Sequence, residues 1–172
     1  MKRPWTNGTL VLASITLLVL LFSVPSSLVA AFHRGEFYIF SRSFIEEIPM
    51  RLSGPGRFRF ILQPLIATLL GIRSGLADAR SGRPAYIWGV LFNRNLRSEL
   101  LKSGFATIVN LVLMGILLDS IFQWVIFGTS YPGAALVVGP VLIVTPYSLA
   151  RALTNRCARL RGSPENTTKG TA

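Results

Sequence analysis

Cysteine occurs once in this chain, at Cys157, and histidine once, at His33. A single thiol excludes an internal disulfide and any cysteine-built zinc or iron–sulfur site within one chain. A single imidazole excludes HExxH chemistry, bis-His haem and a multi-His metal centre. Acids are also scarce, with 7 Asp and Glu against 18 Lys and Arg, and charged residues make up only 15% of the chain, below the ~25% of a soluble domain. No Walker loop, GxSxG elbow or Rossmann glycine fingerprint is present, and the nearest serine look-alike, Gly71-Ile-Arg-Ser-Gly75, has the wrong spacing. The expectation is a protein that is not an enzyme of these classes, with no cofactor and no metal.

Apolar residues fill the space these absences leave. They form 51% of the sequence and cluster into long runs. The clearest run is Gly104–Gly128, charge-free except for Asp119 and long enough to cross a ~30 Å hydrocarbon core at ~1.5 Å per residue. A lone carboxylate at that depth costs about 2.5–3.5 kcal/mol, so it faces protein or water rather than lipid. Gly115, Asp119 and Gln123 are successive i, i+4 neighbours on one helical stripe, whereas Asn110 faces elsewhere. Asp119 then reads either as a proton- or cation-binding group or as a charge pair that locks a bundle, with Arg59 and Arg73 as the nearest candidate partners. The lock is the favoured reading, since a single acid offers a small bundle little of a pathway.

Three further apolar segments accompany this run. Residues 9–32 follow Lys2, Arg3 and Trp5 and read as an uncleaved anchor, although Val29-Ala30-Ala31 also resembles a signal-peptide cleavage site. Residues 58–76 are a short span, or else a re-entrant helix, because the uncharged core Phe60–Ile72 lies between Arg57, Arg59 and Arg73. Residues 133–150 follow the third segment after a tight hairpin and carry Pro140 and Pro146, which should bend the helix. The predicted fold is all-α: a polytopic four-helix transmembrane bundle in one membrane domain, residues 1–161, followed by a disordered tail, 162–172.

Basic residues set the expected orientation. The Gly128–Pro132 hairpin has no Lys or Arg, while the loop 77–103 with its flanks carries Arg73, Arg80, Arg83, Arg94, Arg97 and Lys102. The positive-inside rule puts that loop and the tail in the cytoplasm. Four spans then leave both termini cytoplasmic; three spans would put the amino terminus outside. The net charge of +11 is read as headgroup affinity rather than nucleic-acid binding, because the cations flank apolar runs.

Between the first two spans, residues 36–48 are expected to form one interfacial amphipathic helix, with Phe40, Phe44 and Ile48 on one face, Arg42 paired with Glu46, and Pro49 as its stop. Arg73–Pro84 is expected to fold as a turn presenting Arg forks to phosphate, or as a juxtamembrane loop with Asp78 paired locally. Arg57, Arg59, Arg73, Arg80 and Arg83 are the candidate lipid- or partner-binding residues. From Gly56 onward, GRFRFILQPLIATLLGIRSGLADARSGRP resembles stretches of uncharacterised bacterial inner-membrane proteins, a resemblance covering Ser53–Leu153. It implies the bacterial inner membrane and no activity.

The expected function is a binding, scaffold or accessory role, docking a membrane-protein partner or anionic lipid through the basic loop and tail. The alternative is a homo-oligomeric transporter or channel built around Asp119.

Overall fold

The structure, a computed structural model, describes residues 6–35 and 38–161. Among these residues the regular elements are α1 (Asn7–Arg34), a 3-10 turn (Tyr38–Phe40), α2 (Arg42–Glu46), α3 (Ile48–Ser53), α4 (Arg59–Arg80), α5 (Tyr86–Phe92), α6 (Arg94–Phe127) and α7 (Pro132–Arg161). The protein is all-helical, and α1, α4, α6 and α7 are long and apolar enough to cross a membrane. The basic start of the chain and the expected disordered tail lie outside the described residues.

Local signals explain the boundaries. The Thr6 hydroxyl caps α1 by accepting from the Thr9 amide at 3.2 Å, and Asn93 caps α6 by accepting from Leu96 at 3.3 Å. Gly35 and Gly128 end α1 and α6 in the left-handed conformation, with φ of 72° and 67°, which an L side chain adopts only at a cost. Pro132 opens α7, where its missing N–H is no loss.

The long helices pack with α1 parallel to α6 and α4 parallel to α7. The Thr16 hydroxyl reaches the Leu113 carbonyl at 3.5 Å, and Phe22 meets Trp124 further along both helices at 5.9 Å. The α4–α7 seam is the closest in the bundle. A Cβ on Gly71 would lie 2.5 Å from the Tyr147 carbonyl oxygen, and one on Gly75 would lie 2.5 Å from that of Arg151. Gly139 plays the same part between α7 and α6, where an added Cβ would stand 2.8 Å from the Ile116 amide. Glycine here lets backbones touch, so these small-residue pairs act within the monomer. Ala67, Tyr86, Leu100, Ile108, Ile143 and Tyr147 form the main apolar core.

Several boundaries differ from expectation. The single helix over 36–48 is instead a 3-10 turn and two short helices, because the Ser41 hydroxyl caps α2 at the Phe44 amide and interrupts the first turn. Pro49 starts α3 rather than stopping its predecessor. The second segment is a full helix, α4, that continues through Arg73 to Arg80. Much of the expected loop 77–103 is therefore helical: the end of α4, α5, and the first turns of α6. Pro140 and Pro146 are both accommodated inside one continuous α7.

Candidate functional site

Two buried ionic networks hold the two ends of the bundle. The first is built around Asp119, fully buried on α6. Arg59, at the start of α4, forms an ion pair with its Oδ1. Arg51 of α3 lies 3.4 Å from Oδ2 and 3.5 Å from Oδ1. One turn along α6, Gln123 donates to Oδ2 at 2.5 Å and accepts from the Tyr131 amide at 2.8 Å, tying the carboxylate to the hairpin.

The cations sit in aromatic surroundings. Arg51 lies over the rings of Tyr38, Phe44 and Phe127 at 5.7, 5.7 and 5.3 Å, and Arg59 over Phe60 and Phe122 at 4.7 and 5.5 Å. Ring faces replace part of the lost hydration of a guanidinium. The network continues outward: Arg51 donates to the Tyr38 hydroxyl at 3.1 Å, and that hydroxyl donates to Glu47. Burial first, and then the bond to Glu47, push the Tyr38 phenol up from its usual 10.0 to about 12, against an opposing pull from Arg51. Tyr38 also stacks on Tyr131 with centroids 3.8 Å apart.

The second network joins α4 to α7 at the opposite end. Asp78 takes two bonds from Arg151, at 2.6 and 3.0 Å. Arg151 also donates to the Tyr147 hydroxyl at 2.9 Å and to Ser103 of α6 at 3.4 Å, and lies 4.3 Å over the Tyr86 ring. Arg83 forms an ion pair with Glu99, while its carbonyl accepts from Asn155 at 3.1 Å and from Arg159.

Of the residues singled out in the sequence, Asp119, Gln123 and Arg59 meet in one network. Asn110 is exposed on α6, away from it. Arg73 is exposed near the far end of α4 and does not reach Asp119, because it lies almost four turns from Arg59. Arg57 and Arg80 are exposed, and Arg83 is partly so. Asp78 has the expected local partner in Arg83, 4.0 Å away, and pairs more closely with Arg151 across the bundle. The first part of Arg73–Pro84, as far as Arg80, is helix rather than turn. Arg51, Tyr38 and Arg151 were missed. Arg51 is separated from Asp119 by 68 positions, and nothing in its local pattern signals burial. Gln63 is buried on α4, one turn from Arg59, with neither amide atom hydrogen-bonded among the described residues.

Asp119 is met by two guanidinium groups and the Gln123 amide, and Asp78 by the guanidinium groups of Arg151 and Arg83. The buried Nε of Arg51 has no hydrogen-bond partner among the described residues. No group of three or more metal-ligating side chains occurs among the described residues. The fold and networks together define a class: an all-helical protein with four membrane-length helices, pinned at two levels by internal ion pairs. No protein family, curated protein or solved structure matches the chain.

Proposed function

We propose that this is a small multi-pass protein of a bacterial inner membrane, with a binding, scaffold or accessory role and no enzymatic activity. It docks anionic lipid or a membrane-protein partner through its basic end. The observation that carries this reading is the contrast between the two kinds of charge. Asp119, the residue on which a transporter would depend, is fully buried and consumed by Arg51, Arg59 and Gln123. The exposed cations Arg80, Arg94, Arg97, Lys102, Arg156 and Arg159 gather at the other end, beside the exposed aromatics Trp88 and Phe92 of α5.

The spacing of the two networks supports a membrane placement. From Ser103 to Asp119 along α6 is about 24 Å, and from Arg59 to Asp78 along α4 about 28 Å, close to the ~30 Å hydrocarbon core. The ionic layers then lie near the two faces of that core, with Trp124 and Trp88 as interfacial aromatics at opposite ends. The segment of the 3-10 turn, α2 and α3, with Phe40, Ile45 and Leu52 exposed, lies in the outer interface. The basic end faces the cytoplasm together with both termini.

Native mass spectrometry of the full chain, extracted in mild detergent, tests the docking role. Retention of anionic lipid or of a stoichiometric foreign subunit is expected. A homo-oligomer carrying neither overturns the reading. The Asp119→Asn variant adds a second readout. Loss of folded protein is expected, because two buried guanidinium groups lose their anion, at a cost of about 3–5 kcal/mol. A variant that keeps its abundance and assembly while losing ion flux would make the protein a transporter.

A further inference from the structure

At the basic end the last turns of α4 and α7 leave a groove of about 370 Å³, lined by Leu76, Ala79, Arg80, Ala158 and Arg159. Its floor is small and apolar, and a guanidinium stands on each wall. The Arg159 guanidinium is fixed by its bond to the Arg83 carbonyl. Arg80 has no ion pair among the described residues. The two described carboxylates at this end are already committed, Asp78 to Arg151 and Glu99 to Arg83. No acid among the described residues therefore competes for the groove.

Below it, along α4, runs an exposed stripe. Leu62, Leu65, Leu69 and Leu76 are 49%, 52%, 58% and 38% exposed. They share one face at steps of three, four and seven residues, Arg73 filling the gap between Leu69 and Leu76, and the face ends at Arg80. Arg73 stands on the same face, a heptad before Arg80 and also exposed. A leucine track leading up to two arginines matches the two halves of an anionic lipid: acyl chain below, phosphate above.

We propose that this groove binds the phosphate of an anionic glycerophospholipid between Arg80 and Arg159, with an acyl chain lying along the α4 leucine stripe. This rests on the reading that the basic end meets the cytoplasmic leaflet. The planar guanidinium forks suit phosphate oxygens in a way that a lysine point charge does not. Basic recesses between helices on the cytoplasmic side are the places where anionic headgroups are held. Arg73, one heptad deeper, can extend its side chain up toward the same headgroup.

The test is lipid binding by the purified full chain, titrated in mild detergent with phosphatidylglycerol, phosphatidylcholine or inorganic phosphate. The Arg80→Gln/Arg159→Gln pair is expected to lose at least about tenfold in phosphatidylglycerol affinity, the equivalent of ~1.4 kcal/mol. An Arg94→Gln/Arg97→Gln pair removes the same charge from the same end but outside the groove, so it should lose only the share due to general headgroup attraction, clearly less than the groove pair. Arg80→Lys/Arg159→Lys should fall between, since it keeps the charge and loses the forks. Equal losses in the two glutamine pairs would show diffuse attraction and overturn the site. Displacement of phosphatidylglycerol by millimolar inorganic phosphate would make a free anion the ligand instead. Wild-type protein that binds anionic lipid no better than phosphatidylcholine would remove lipid docking from the proposed function as well, whereas binding that all variants share would sink this site alone.

Discussion

Asp78 and Arg151 illustrate how single residues act here. Both are buried, and each satisfies the other's charge through two bonds. Removing one partner strands the other in a low-dielectric interior, so Asp78→Leu or Arg151→Met is expected to cost about 3–5 kcal/mol. The double variant Asp78→Leu/Arg151→Met removes both charges and should recover much of that loss. Thermal unfolding of the four proteins in detergent forms the cycle, and additive single effects would refute the pairing. Tyr38 makes a separate prediction at this scale. Its phenol is pushed up to about 12 from 10.0, so the unfolded chain releases this proton first as pH rises. The stabilisation is fully present below about pH 10 and is lost as pH climbs toward 12. Burial pushes the Tyr86 phenol up as well, so tyrosinate absorbance should show a late-ionising component to which both contribute, and Tyr38→Phe should reduce that component by one tyrosine.

Elements are held by contacts between backbones as much as between side chains. At Gly71 and Gly75 the obstacle to a side chain is carbonyl oxygen and backbone of α7, which has no rotamer with which to yield. Gly71→Ala or Gly75→Ala should therefore push α4 from α7, at about 1–3 kcal/mol or more. Gly133, where an added Cβ meets nothing within 4 Å, is the matched control and should tolerate alanine. Equal melting temperatures for Gly71→Ala and Gly133→Ala would refute the tight seam. The sequence showed the long helices well, because uninterrupted apolar runs and their caps are local signals. It showed the segment 36–53 poorly. Phe40, Phe44 and Ile48 have helical spacing, yet the Ser41 cap and the stacking of Tyr38 on Tyr131 divide the segment, and the second cause comes from the hairpin 93 positions away.

The whole molecule has one strongly basic end and one end where Arg42, Arg51, Arg57 and Arg59 are largely balanced by Glu46, Glu47 and Asp119, and this asymmetry predicts its orientation. With Cys157 replaced by Ser and a cysteine placed at exposed Ser53, an impermeant thiol reagent should label intact cells. The unaltered chain, with Cys157 exposed at the basic end, should label only when the cytoplasmic face is opened. Protection of the cysteine at Ser53 would restore the three-span topology.

By itself the sequence determined the class of this protein and the position of its principal helices. Hydrophobic length, proline and glycine punctuation and flanking arginines are all written within a few turns of chain. It also placed Asp119 and Gln123 on one stripe and left Asn110 off it, since helical periodicity is enough for that. Only the tertiary structure decided which cations meet which carboxylates. Arg51 and Arg59 reach Asp119, and Arg151 reaches Asp78, across 60 or more positions. A guanidinium that snorkels to solvent and one that is buried look alike in a sequence; the helix packed beside it makes the difference.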